Sequence, residues 1–255
     1  PETILFNHDL LWYKGEVMPL PDLSQEFAAV REMGLRGDFK GANDHISSIL
    51  RARNFSGLVP IFHPALDLKI KTPQKTLFKN YSREVDFSSG ETRVVWQQGD
   101  ACFERTFFIS RTRHIGVMKF STDRNLFDTA FQLCEHDLSD SFGMDNVAQI
   151  SPLTYSGRAS GDKLFLNVSG SDGGEYGAVL KIMPVEGRLE HTIENTWAKQ
   201  TSSLPLLWDY PMEKRAVIKV SDTSSVTAVI GFYINVKDPE AAQRQTAEML
   251  DGITL

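Results

Sequence analysis

Ser225-Val226-Thr227-Ala228-Val229-Ile230-Gly231-Phe232-Tyr233-Ile234 is the stretch on which the reading of the fold turns. Val226, Ala228, Ile230, Phe232 and Ile234 form an apolar face held over five alternate positions. A period of two belongs to a β-strand, whose successive side chains point to opposite sides, whereas a helix repeats every three or four residues. The same cadence runs back through Arg215–Val220, Arg188–Glu194, Tyr176–Met183, Leu164–Val168, Leu153–Gly157 and Phe127–Glu135. Before these come His114–Ser121, Ala101–Ser110, Glu91–Gln97 and Tyr81–Phe87, with Gly90, Gly99 and Arg111-Thr112 as turns. Leu66, Leu68 and Ile70 alternate with Asp67, Lys69 and Lys71, and Thr3–Phe6 opens the series. Short strands separated by turn signals describe antiparallel meanders. Roughly a dozen and a half strands exceed an immunoglobulin-type domain and predict a mainly β, large two-sheet antiparallel sandwich.

Helices frame this pattern. Pro21-Asp22-Leu23-Ser24 is a start signal ahead of Phe27, Val30 and Met33, and a second helix is expected from about Phe39 to Arg51. Two short helices at the start of a β protein read as an insertion between strands, over about residues 22–53. Asp238-Pro239 begins a closing helix, from Glu240 to about Leu250, stopped by Gly252. Its composition is less apolar than that of a core helix, so it is expected to lead into something else. The chain opens at Pro1 inside a strand, which suggests a fragment of a longer protein.

The 255 residues are 41% apolar and 24% charged, an ordinary globular composition. Lys and Arg number 27 against 33 Asp and Glu, a net charge of -6, so nucleic acid and an anionic membrane are not expected partners. No apolar stretch is long enough to span a bilayer. Cys102 and Cys134 lie in strand-like runs without a zinc spacing and are taken as buried thiols. No metal or cofactor is expected.

Several chemical signals have plainer explanations. Ser169-Gly170-Ser171-Asp172-Gly173-Gly174 lacks the Lys of a phosphate loop and precedes a strand, so it reads as a hairpin loop. Glu135-His136-Asp137-Leu138-Ser139-Asp140, with Asp145 nearby, lacks the spacing of a calcium loop and reads as solvated. Asp67, Asp86 and Glu104 can be imagined as paired glycosidase carboxylates, but outward charges are expected in alternating strands. Asn54, Asn80 and Asn167 head Asn-x-Ser matches that are common by chance.

Asn7-His8-Asp9-Leu10-Leu11-Trp12 carries more. Alternation puts Asn7 and Asp9 on one side and His8 on the other. Asn and Asp can bond vicinal sugar hydroxyls and Trp can stack on a pyranose face, while the structural alternative is a pinned turn and a core Trp.

Ile4 to Trp12 resembles the "LNEDTLW" segment of the N-terminal domain of glycoside hydrolase family 95, which contains α-L-fucosidases and α-L-galactosidases. Phe62-His63-Pro64-Ala65-Leu66-Asp67-Leu68 is similar to the family's "YQPLGDL", Tyr81–Phe87 to its "YRRELDL", and Glu104–Ser110 to its "REVFAS". Tyr233–Pro239 resembles its "ATSYKNPDP", and these matches follow one another along almost the whole chain. His8, Leu10 and Ala65-Leu66 depart from the pattern. The resemblance implies a galactose-mutarotase-like supersandwich over residues 1–237, related to the N-terminal domains of family 65. It also implies a linker helix at 238–255, running towards an α/α-barrel that holds the catalytic acid.

The expectation is therefore a non-catalytic N-terminal domain of a bacterial α-L-fucosidase-like enzyme. Its partners would be the barrel and a carbohydrate, with Asn7, Asp9, Trp12 and His63 as candidate sugar contacts. The compartment stays open between cytoplasm, periplasm and outside the cell. Two alternatives remain. A free-standing carbohydrate-binding sandwich would expose a row of aromatics on one sheet, with Trp96, Trp197 and Trp208 as further candidates. A mutarotase-like or lyase-like enzyme would need one of His63, His114 or His191 converging with a carboxylate.

Overall fold

A computed structural model describes residues 2–12, 21–53, 55, 62–72, 77–124, 126–136, 153–170, 175–197 and 213–253, without the side chains of Trp12, Phe62 and His63. Thirteen strands lie among them. They are β1 (Glu2–Trp12), β2 (Phe62–Lys71), β3 (Phe78–Asp86), β4 (Glu91–Gln98), β5 (Ala101–Ser110), β6 (Ile115–Thr122), β7 (Phe127–Cys134), β8 (Leu153–Ser160), β9 (Lys163–Gly170), β10 (Glu175–Pro184), β11 (Arg188–Asn195), β12 (Lys214–Thr223) and β13 (Ser225–Val236). Three α-helices accompany them, α1 (Phe27–Leu35), α2 (Phe39–Ala52) and α3 (Pro239–Asp251), with a 3-10 turn at Ser24–Glu26 ahead of α1.

The protein is mainly β, in two antiparallel sheets. One has five strands in the order β1-β2-β7-β12-β11, and the other has eight in the order β3-β4-β5-β6-β13-β10-β9-β8. Their facing sides meet in one core. Phe6, Leu66, Leu68, Ile70, Phe131 and Ile218 come from the small sheet, and Phe120, Leu166, Leu180, Ile182, Val226 and Ile230 from the large one. Burying each such side chain contributes about 1.5–3 kcal/mol. The alternate positions of β13 lie on this core as their period requires, Val226, Ala228 and Ile230 buried, Phe232 and Ile234 packed at its margin.

The opposite face of β13 is buried too. Val229 joins Ile115, Phe165, Val179 and Leu250 in a second cluster, so α3 packs on the outside of the large sheet. Asp238 caps the helix by accepting from the Ala241 amide, with Pro239 in its first turn. Gly231 leaves room for Thr246 and Met249. Tyr233, opposite Gly177 on β10, donates to Asn167 Oδ1 (3.0 Å) and accepts from Gln243 Nε2 (3.0 Å). At the far end Lys163 and Lys181 lie 2.8 and 3.1 Å from the Asp251 carboxylate, and Lys181 also reaches the Leu250 carbonyl. The last carbonyls of a helix attract cations, so this end is held electrostatically. Weakly apolar composition hid a well-seated helix, because Thr246 and Leu250 suffice to line its buried side.

The chain divides into two compact units, one of residues 1–11 and 64–255 and one of residues 12–63. In the second, α1 and α2 pack together, Asp38 caps α2 by accepting from the Gly41 amide, and His45 Nε2 is 2.9 Å from Glu26 Oε2. No side chain of either helix is fully buried.

Both cysteines are free, but only Cys134 is buried. Cys102 is half-buried, which corrects the expectation for that residue: at this end of β5 it points to the outer side of the large sheet, away from the core that takes Phe103. Among the described residues no helix is long and apolar enough to cross a membrane.

Candidate functional site

The outer face of the five-stranded sheet departs most from expectation. β2 turns Leu66, Leu68 and Ile70 into the core, and alternation sends Asp67 and Lys69 to the other side. That side of an antiparallel sheet is normally wet. Here Asp67 is 4% and Lys69 5% exposed. The outward, solvated carboxylate expected at Asp67 is thus corrected: it points outward but is buried and paired with His136.

The floor of this region is set by register. Asp67 faces Cys134 and Lys69 faces Gln132 on β7, and Gln132 in turn faces Val217 on β12. Gln132, Cys134 and Val217 are fully buried. Buried polar groups need partners, and here the chain beyond β11 supplies them. Lys69 Nζ donates to the Trp197 carbonyl (2.5 Å), and Gln132 Oε1 accepts from the Trp197 amide (3.0 Å). Gln132 Nε2 donates to the Asn195 carbonyl (3.3 Å). Asp67 Oδ1 pairs with His136 Nδ1 at 2.9 Å, where His136 follows β7.

A rim of charge surrounds this floor. The Trp197 indole N–H donates to Glu194 Oε2 (2.9 Å), whose other oxygen lies 2.7 Å from Lys219 Nζ. Lys219 first and the indole second hold the Glu194 carboxyl below its usual range, and Glu194 raises Lys219 in return. Lys71 Nζ stands 5.5 Å from the centroid of the Trp197 ring. Arg215 bridges Glu135 and Glu213.

This arrangement positions groups; it does not activate them. Lys69 and Gln132 are committed to main-chain partners and Asp67 to His136. Burial pushes the Cys134 thiol up to about 12, far from a reactive thiolate. Among the described residues no group of three or more His, Cys, Asp and Glu is placed to hold a metal.

The sequence candidates scatter. Asn7 and Asp9 are exposed on β1, while His8 turns the other way, half-buried with its ring 6.4 Å from Phe232. Trp12 ends β1 and His63 lies at the start of β2, with side chains outside the described residues. Asp86 is exposed and accepts from Ser88 and Ser89 in the turn after β3. Glu104 makes a two-pronged pair with Arg93 at 2.9 and 2.8 Å. His114 is exposed in the turn before β6, and His191 Nε2 is 2.6 Å from the Gly161 carbonyl. His8 Nδ1 lies 3.0 Å from its neighbour Asp9 Oδ1, and of the His–carboxylate pairs among the described residues Asp67–His136 is the one on the outer face of the five-stranded sheet. Trp96 stacks on Phe103 at 5.4 Å against that core. Trp208, Asn54, Asp137, Asp140, Asp145 and residues 171–174 lie outside the described residues.

Lys69 and Gln132 were missed as site residues, and His136, read as part of a solvated loop, is instead largely buried against Asp67. The one local hint lies in β7, where Ala130-Phe131-Gln132-Leu133-Cys134 runs nearly unbroken in apolar character, as strands buried on both faces do.

Fold and site together define a two-sheet antiparallel sandwich domain with a polar network built into one outer face. A model of the N-terminal domain of glycosyl hydrolase family 65 matches residues 1–212, and the chain belongs to that family. The match falls on the family 65 N-terminal domain that the sequence resemblance named as a relative. No curated protein matches the chain.

Proposed function

We infer that this chain is the non-catalytic N-terminal sandwich of a bacterial, α-L-fucosidase-like glycoside hydrolase. It supports a linked α/α-barrel that carries the acid and base, and Asn7, Asp9, Trp12 and His63 line the barrel's sugar pocket. The observation that carries the docking role is β3. All nine of its residues are exposed, and Leu77, Phe78, Tyr81, Val85 and Phe87 present an apolar strip along the edge of the large sheet, with Phe87 95% exposed. A contiguous strip of this kind marks a surface that is covered in use. Oxidative footprinting of Phe78 and Tyr81 tests it. Both should label strongly in the 255-residue chain and weakly in the intact enzyme; equal labelling in the two would remove the support.

The same strip favours a second reading, a carbohydrate-binding sandwich, because the Phe78 and Tyr81 rings lie 5.8 Å apart in the open. Calorimetry of the chain with fucosylated oligosaccharides separates the two, since heat abolished by Tyr81→Ser would favour binding and no heat would favour the scaffold.

A further inference from the structure

We propose that Trp197 is a sugar-stacking residue, held in a fixed pose by the outer face of the five-stranded sheet for a neutral pyranoside. The inference rests on the reading of the chain as a glycoside hydrolase domain, and it locates a carbohydrate contact apart from Asn7, Asp9, Trp12 and His63.

Three features of the structure point to it. First, both main-chain polar groups of Trp197 are gripped by buried side chains, the carbonyl by Lys69 and the amide by Gln132. A residue leaving a strand can satisfy these groups with water. Burying a lysine and a glutamine to do so is costly unless the position of that residue matters. Second, Glu194 accepts from the indole N–H and is itself fixed by Lys219, so the ring cannot turn freely about its side-chain bonds. Third, Trp197 is only half-buried, and its polar atoms are all engaged within the protein. What it offers outward is therefore apolar ring surface.

Those are the requirements for stacking on a pyranose. The C–H face of a sugar packs against an indole, and a ring already held in place loses little entropy on binding. Lys71, itself exposed, lies over one face of the indole, and Glu194 and Lys219 lie at its N–H edge, so polar groups for sugar hydroxyls flank the stacking surface. Lys69, Gln132 and Glu194 act as positioning residues, through Trp197.

The test labels the four tryptophans with 5-fluorotryptophan and assigns the Trp197 fluorine signal from Trp197→Phe. The chain is then titrated with methyl α-L-fucopyranoside and, separately, methyl α-D-glucopyranoside, up to about 50 mM, where a single-sugar contact of millimolar affinity saturates. The Trp197 signal should move saturably with at least one probe. Glu194→Gln, which keeps the packing and weakens the grip on the indole, should reduce that affinity about tenfold, roughly 1.4 kcal/mol, in a protein that still unfolds in one cooperative transition. A signal unmoved by both sugars, or an affinity indifferent to Glu194→Gln in a folded protein, would overturn the proposal. Neither result touches the domain reading, which fails instead if the chain alone turns over a glycoside.

Discussion

Lys69 and Trp197 stand 128 positions apart, yet the ammonium of the first donates to the main-chain oxygen of the second across 2.5 Å. This bond and its neighbour from Gln132 stitch the segment after β11 onto β2 and β7. Gln132→Leu should strip the Trp197 amide and the Asn195 carbonyl of their partners. The expected loss is about 1 kcal/mol, that of hydrogen bonds removed from partly exposed partners, read as a lower urea midpoint with an unchanged slope. A midpoint within error of the parent would mean that water replaces the glutamine.

Gly177 and Gly231 separate two kinds of crowding. A Cβ on Gly177 would overlap the Leu166 main-chain oxygen and the Tyr233 hydroxyl, so Gly177→Ala should cost about 3 kcal/mol, the upper end for overpacking. A Cβ on Gly231 would press on side-chain ends alone, the Thr246 methyl and the Met249 terminus at 2.9 and 3.0 Å, with Leu250 Cδ2 at 3.7 Å. Gly231→Ala should cost about 1 kcal/mol and act on α3 alone. Hydrogen exchange resolves this, with α3 amides speeding up while those of β9 and β10 keep their protection.

Asp251 gives the seating of α3 a pH dependence. Lys163 first, and Lys181 after it, hold its carboxyl below the usual value against the opposing effect of burial. A depressed carboxylate contributes stability that is present above its unfolded pKa, about 4, and is lost as the pH falls through its folded value. The contribution is at most about 0.5 kcal/mol, because the Asp251 side chain is half-exposed and screened. Protection of the last turn of α3 should fall below pH about 4 in the parent and show no such step in Asp251→Asn.

The exposed strip on β3 predicts solubility effects without stability effects. Replacing Phe78, Tyr81 and Phe87 by Ser should lower binding of an apolar dye and leave the unfolding free energy within about 0.5 kcal/mol, as for other surface changes. A larger loss would show that these rings pack in the chain itself.

Much of this fold is legible in period and punctuation. Every strand segment read from Thr3 to Ile234 has its counterpart, because alternation over even five residues reports a half-buried surface. α3 follows from its Asp238-Pro239 start, and α1 from the Pro21–Ser24 signal although no side chain caps its first turn; α2 follows from its apolar spacing, and Asp38, not read in the sequence, caps it. The order of strands was not legible. β13 lies between β6 and β10, pairings that close over long separations and leave no local trace. Asp67 and Lys69 were misread for the same reason. Their alternation with leucines is that of a wet face, and the partners they bond, Trp197 and His136, come from segments distant in sequence. Asn7 and Asp9 were legible as one exposed side of β1, since strand alternation alone separates them from His8.

The central claim is that this sandwich serves catalysis without performing it. The most direct measurement assays the purified chain and the intact enzyme, at equal concentration, on aryl α-L-fucoside and aryl α-L-galactoside. The account predicts turnover by the intact enzyme and none above background by the chain. Sustained release of the aryl group by the chain alone would contradict it.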